Sequence, residues 1–452
     1  MASVKKLVGS AALLGVGTFL AKLIGAIYRI PLTSVLTPTG LGIYQMVFPV
    51  YTVLLDFSGA GVPSALSKLI SSFGENKKVY ARKYLAVALK LLFVFGVLGF
   101  LIMLIFSKPF SIAQGNKDAY LGYIFLAPSV LLVSLISCFR GYFQGQIKMS
   151  PTAISQVIEQ TVKLGFGLLF CFLLMPNVKR AVAGATFAIT LSELIALLYL
   201  YILYRRDSKD LSRVKPFDKK EILTACKNII KTTIPITLLG VLIPLSQVID
   251  SFLTLNMVGS YRPDATALYG ILSGVVMTII HLPVSVCYGI SAVIIPTVSG
   301  ENDPKVKEQN IQKSLMLTML VSLFCSVGVY LFSKTIIGVV FPSLKGKEYE
   351  ISYKLLKLCS FVILYHAIVQ TINGIFIGKS KPYLALIGIS VGVVVKIVFN
   401  AVLLKNPSIN IYGGAIAIIA CYFSACLVNL IILFILKVRN DSKEVKYQRL
   451  PN

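Results

Sequence analysis

Tryptophan is absent from this chain of 452 residues, histidine occurs twice, and only 18 side chains are acidic. Charge of either sign is scarce, at 14% of residues, where a soluble domain carries about 25%. Each scarcity excludes something. Two histidines make a poor metal site, and the eight cysteines form no Cys-x-x-Cys pair. A zinc or disulfide framework is therefore not expected, and the cysteines read as small packing residues. No Walker A stretch occurs, so no nucleotide site is expected. No low-complexity arm or aromatic-basic strip stands behind the net charge of +26, so the charge does not argue for nucleic acid.

What is present is hydrophobicity: 56% of residues, with a mean hydropathy of +0.82. It comes in runs of the length that crosses a bilayer, about 17–25 residues. The runs predict an all-α polytopic membrane protein with twelve spanning helices, at 7–31, 41–70, 84–106, 119–140, 151–175, 181–204, 229–257, 267–298, 310–332, 352–377, 383–404 and 411–436. The second, seventh and eighth segments are long and carry internal Gly or Pro, tolerated where the freed backbone faces protein or water. Lys5-Lys6 and the run behind them imitate a signal peptide. The run continues to Pro31 without a clear cleavage site, so an uncleaved first helix is expected.

Lys and Arg fall unevenly on the connectors. Of the 44, 26 lie on the side of the N-terminus, 10 on the other side and 8 within spans. The positive-inside rule then puts both termini in the cytoplasm. Arg205 to Lys227 is the longest polar break. It divides the chain into an N-terminal six-helix lobe (1–204), a cytoplasmic linker (205–228), a C-terminal six-helix lobe (229–436) and a basic tail (437–452). Self-comparison points to duplication. At an offset of 233, Gly141 pairs with Gly374, Gly145 with Gly378, Lys148 with Lys381, Lys163 with Lys396 and Phe166 with Phe399. Six helices per half keeps both halves in the same orientation, giving a pseudo-twofold axis along the membrane normal, as in alternating-access transporters.

Ionisable residues inside a span cost about 2.5–3.5 kcal/mol on insertion scales. Lys68, Lys90, Lys231 and Lys357 lie near span ends, where their amines can snorkel to the headgroups. Glu159 precedes Lys163 by four residues, the favourable order for a structural bridge, an alternative that stands beside a role in binding. Glu193 is a further acid within a span. His281 and His366 read as packing residues. Lys22, Arg29 and Lys396 fit none of these descriptions. Lys22 and Arg29 share one face of the first helix, two turns apart, and Lys396 is central in its span with Gly392 where Glu159 stands in the other half. A shared cationic cavity holding Lys22, Arg29, Lys163 and Lys396 would select an anion. Guanidinium forks and ammonium point charges suit phosphate, and apolar walls suit an attached hydrocarbon chain. Asp56 and Asp250, at the depths of Lys22 and Arg29, are expected to pair with them and exchange during rocking. Asp56, Glu159 and Asp250 are the gating or ion-coupling candidates.

The stretch Lys22–Pro31 (KLIGAIYRIP), the run Gly40–Gln45, the run Gly59–Lys68 and the RGYFQG of Arg140–Gly145 with Pro151 resemble the stage V sporulation protein B group. That group belongs to the multidrug/oligosaccharidyl-lipid/polysaccharide exporter superfamily, which also holds the lipid II flippases. The resemblance implies a two-lobed transporter with a central cavity, moving a lipid-linked saccharide across the bacterial plasma membrane for peptidoglycan, polysaccharide or spore cortex. It implies a pyrophosphate-binding role for Lys22 and Arg29. Twelve spans depart from the fourteen common among lipid II flippases, whose last two form a lipid groove. Coupling through a proton, sodium or the membrane potential stays open, and no resident cofactor is expected.

Two other functions compete. A drug or organic-cation antiporter would need an acidic, aromatic site. A membrane glycan polymerase or ligase would need a large outer loop with catalytic acids or histidines. The longest outer loop, 333–353, offers Glu348 and Glu350 among several lysines. A transporter rather than an enzyme is expected.

Overall fold

The computed structural model describes residues 2–209, 217–300, 303–379 and 381–448. They form helices, and no strand is present among them. In chain order these are α1 (Ala2–Leu55), α2 (Val62–Ser71), α3 (Lys77–Ile105), the short α4 (Ser107–Ala113), α5 (Tyr120–Gly145), α6 (Ser150–Leu174), α7 (Val178–Asp207), α8 (Lys219–Gly259), the short α9 (Ala265–Gly270), α10 (Met277–Gly300), α11 (Pro304–Val340), α12 (Gly346–Gly378), α13 (Pro382–Leu403) and α14 (Tyr412–Gln448).

Eleven stretches among the described residues are long and apolar enough to cross a bilayer. The first, Leu14–Ser71, has 58 residues, about 87 Å of helix at 1.5 Å per residue. That is far more than a hydrocarbon core of about 30 Å. It is two helices, because the backbone breaks at Thr37 (φ 63°, ψ 165°). Pro38 explains the position: its ring disfavours helical ψ at the residue before it. Dividing the stretch there gives twelve spanning helices, the number and order the hydropathy predicts. Ten of the twelve expected segments lie inside one helix or within one residue of its ends, and 41–70 and 267–298 each cross a π-helical turn between two helices. The helices also run past the apolar segments, α5 to Gly145 and α8 back to Lys219.

The interruptions are local. Asp56–Ala60 and Ile271–Val276 each form a π-helical turn, a bulge common at functional sites. The seventh segment, by contrast, runs through Pro235 and Pro244 as the continuous α8.

The chain forms two compact units, Met1–Leu255 and Asn256–Asn452. In the first, α5 is central: it packs on α3, α7, α2 and α1. Small residues bring the backbones close, the usual device between helices in lipid. A Cβ on Gly141 would stand 2.8 Å from Leu66, and one on Gly145 would stand 2.6 Å from Ile70. The RGYFQG run is thus the face of α5 that receives α2. In the second unit α12 packs on α10, α11 and α14, and α13 packs on α14. Gly388 and Gly392 of α13 sit against Asn429, Cys421 and Ala425 of α14. Large apolar side chains such as Phe172, Leu173, Phe324, Val339 and Phe434 are exposed. A face of that composition belongs against lipid, and the chain is a multi-pass membrane protein.

Candidate functional site: charged clusters within the units

Four helices of the first unit bring charge into its interior. Helix α6 carries Glu159 and Lys163 one turn apart, on the same face. Helix α5 contributes Arg140, whose guanidinium meets the Glu159 carboxylate at 3.0 Å and bonds the Ser155 hydroxyl at 3.0 Å. The Gln160 amide donates to the other Glu159 oxygen at 3.1 Å. Helix α7 contributes Glu193, only 3% exposed, and α1 contributes Tyr51, whose hydroxyl donates to Glu193 Oε1 at 2.9 Å. Glu193 interacts electrostatically with Glu159, Arg140 and Lys163.

Of the two alternatives for Lys163, a bridge to Glu159 or a role in binding, the bridge is not formed among the described residues. The bridge goes to Arg140 instead, the last residue of the fourth expected segment, whose charge counts with the connector cations. Helix α5 carries Arg140 within its last two turns, level with Ser155 and Glu159 of α6. A planar guanidinium can also bond Glu159 and Ser155 together, which a single ammonium does less well.

Lys163 is left for another task. Its amine stands 5.8 Å from the ring centroid of Tyr28 on α1. Arg29, the next residue on α1 and half-buried, interacts electrostatically with Lys163, Tyr28 and Tyr44. The Tyr28 ring is buried, with its hydroxyl against Gly167 of α6. Two buried polar atoms here have no hydrogen-bond partner among the described residues, the Tyr28 hydroxyl and Glu193 Oε2. Arg29, Arg140 and Lys163 thus share this interior with Glu159 and Glu193.

The remaining sequence candidates fall as follows. The side chain of Lys22 lies outside the described residues. Asp56 opens the first π-helical turn and is buried, its carboxylate 3.4 Å from where a Cβ on Gly240 of α8 would stand. The Thr237 hydroxyl of α8 donates to its carbonyl at 3.5 Å. Asp250 is half-buried on α8. Lys396 belongs to the second unit and is only 7% exposed. It continues the buried stripe Ala385, Gly388, Gly392 and ends one turn before the buried Asn400. That unit also holds a histidine pair, His281 and His366, with ring centroids 5.8 Å apart, and Tyr422 stacked on His366 at 4.1 Å. Lys163 and Lys396 stand at corresponding positions along their own helices, 13 residues after Ser150 of α6 and 14 after Pro382 of α13.

Sequence reasoning overlooked Arg140, Tyr28 and Tyr51 as members of the cluster, and it recognised Glu193 only as an acid in a span. The one available signal was the RGYFQG run itself, where Arg140 precedes two helix-packing glycines.

The family described as "Polysaccharide biosynthesis protein" matches residues 7–301, and the MatE family matches residues 225–402. The lipid II flippase MurJ of Bacillus subtilis (strain 168) is 26% identical over 95% of this chain and 82% of its own length. Stage V sporulation protein B of the same organism is 26% identical over 93% of this chain and 82% of its own. Among solved structures, an inward-facing multidrug resistance MATE family transporter of the MOP superfamily superposes with a TM-score of 0.77 at 16% identity, covering 95% of this chain and 96% of that one.

Proposed function

Because the chain belongs to the polysaccharide biosynthesis protein family, a family of membrane transporters in which its curated relatives include a lipid II flippase, we propose that it is an alternating-access flippase for a lipid-linked saccharide. The substrate is a peptidoglycan precursor or polysaccharide unit carried on a phosphorylated lipid. The membrane is the bacterial plasma membrane, with both termini in the cytoplasm. The observation that supports this reading most is the placement of Lys163 beside Tyr28 and Arg29 while Arg140 takes up Glu159. Lys163, in no ion pair among the described residues, offers a phosphorylated head an ammonium inside the bundle.

In this reading Arg29 and Lys163 of one lobe, with Lys22, and Lys396 of the other bind the phosphates. Each engages them more closely in one orientation of the lobes than in the other, and a ligand shifts such an equilibrium only by its difference in affinity. Asp56, Glu159 and Asp250 carry the coupling ion or reset the cations after release.

A drug or organic-cation antiporter is the second reading, favoured by the backbone similarity to the multidrug transporter. Purified protein in vesicles separates the two. With a fluorescent lipid-linked precursor, wild type flips it, and Arg29→Ala and Lys396→Ala each lower the rate about tenfold or more, the worth of one charge-assisted contact. Normal flipping by both variants removes the proposed roles. Organic-cation uptake without precursor flipping establishes the antiporter instead.

A further inference from the structure

A second cationic feature lies on the first unit, at the end where Lys77–Lys83 and Lys219–Lys227 gather. Helix α3 presents Lys83, Ala86, Val87, Lys90 and Leu91, the i, i+3, i+4, i+7, i+8 spacing of a single helical face. Opposite stand Ile222 and Cys226 of α8, one turn apart, and Phe217 closes one end. Together they line a cleft of about 280 Å³. Its interior wall is anchored by the buried Val87, and behind it α3 and α8 share one core, where Ala225 and Ile229 pack with Tyr84 and Leu85.

Among the described residues the charge here is of one sign. No acid lines the cleft, and neither Lys83 nor Lys90 makes an ion pair with an acid among the described residues. The nearby acids are engaged elsewhere: the Glu221 carboxylate accepts from the Asp218 amide at 2.8 Å, and Asp218 accepts from the Glu221 amide at 2.7 Å. That reciprocal cap opens α8 and faces a separate cleft on the other side of Phe217. Lys83 is held in place by aromatic faces, its amine 4.9 Å from the Phe217 centroid and 5.8 Å from that of Tyr80. Lys90 is exposed two turns deeper. Helical side chains lean toward the N-terminus of their helix, which carries its amine back toward Lys83.

We propose that this cleft binds the phosphate headgroup of an anionic phospholipid of the membrane itself, with Lys83 and Lys90 on the phosphate and an acyl chain along Val87, Leu91 and Ile222. The cleft is small beside pockets for drug-sized molecules, which span about 300–1,000 Å³, and its 280 Å³ matches a phosphate headgroup. Basic pockets between helices at the cytoplasmic surface are suited to anionic lipid by electrostatics alone. The site is separate from the charged cluster and does not depend on what the transporter carries.

Native mass spectrometry of the purified full chain tests it, with phosphatidylglycerol, phosphatidylcholine and a polyprenyl phosphate as probes. Wild type retains phosphatidylglycerol in preference to phosphatidylcholine. The double variant Lys83→Gln/Lys90→Gln binds it about thirtyfold more weakly, from about 1 kcal/mol per surface cation. Ala86→Trp, at an exposed position, fills the cleft while leaving both charges and gives a comparable loss. Unchanged retention by Ala86→Trp and the double variant overturns the proposal. So does displacement of phosphatidylglycerol by polyprenyl phosphate at equal concentration, which would assign the cleft to the transported lipid.

Discussion

Arg140 of α5 and Glu159 of α6 are joined at 3.0 Å inside the first unit, while the neighbouring acid Glu193 is held by the Tyr51 hydroxyl at 2.9 Å and, among the described residues, by no cation at that range. Two acids in one bundle are thus treated differently. One is neutralised by a guanidinium. The other is bonded by a neutral donor and has an oxygen with no hydrogen-bond partner. This division leaves Lys163 over Tyr28 instead of in a bridge with Glu159.

Removing Arg140 should therefore cost more than removing a surface charge. Arg140→Gln leaves Glu159 uncompensated and close to Glu193, and is expected to lower stability by about 3 kcal/mol. Adding Glu159→Gln should restore much of the loss, since the remaining amides can bond each other. Thermal unfolding of the two single variants and the double variant gives the coupling energy. Additive losses would show that the bridge is not the stabilising element.

Tyr51→Phe tests the other acid. It removes the hydroxyl that bonds Glu193 Oε1, leaving a buried carboxyl without a donor, a change of about 1–3 kcal/mol. Combined with Glu193→Leu, the phenylalanine should cost little, because no polar group is then stranded. Chemical unfolding in detergent reads both, and an equal penalty for Tyr51→Phe in both backgrounds would argue for lost packing instead.

Much of this fold was legible. Twelve apolar runs mark twelve helices because the bilayer sets a length that hydropathy detects, and Pro38 marks the break at Thr37 for a steric reason. The cluster was legible in part. Lys163, Glu159 and Arg29 announce themselves as charges in spans. Arg140 does not, because it ends its apolar segment, where a cation reads as a headgroup anchor. Tyr51 and Tyr28 look like any aromatic residue in a membrane helix. Their roles depend on which helix faces which, and only packing decides that.

The packing glycines supply a prediction free of electrostatics. On Gly145 even a methyl group would stand 2.6 Å from the Cβ of Ile70. Gly145→Val should push α2 off α5 and lower stability by about 1–3 kcal/mol, the usual cost of overpacking. Ile70→Ala in the same chain makes room and should recover part of it. Melting temperatures of the three variants decide the matter: a second, additive loss in the double variant would mean that the contact at Gly145 is not what limits the fit.

The pairing of Arg29 with Asp250, and of Lys22 with Asp56, rests on depth alone, so it calls for a direct test. Helix α1 enters from the N-terminal side and α8 from the same side, so residues the same number of turns along them lie level. If these pairs form in one orientation of the lobes and separate in the other, cysteines at 29 and 250 should cross-link only in that state. A disulfide needs Cα atoms closer than about 7 Å. The background must first lose the eight native cysteines, six of which are buried. Precursor lipid, by favouring one orientation of the lobes, should change the cross-linking yield at both pairs. The charge-swapped chain Arg29→Asp/Asp250→Arg should retain more flipping than Arg29→Asp alone, because it keeps the mutual attraction while moving the cation to α8. Failure to cross-link under any condition, together with no rescue by the swap, would separate Asp250 from Arg29 and leave the acids of α6 and α7 as the remaining partners for the cations of α1.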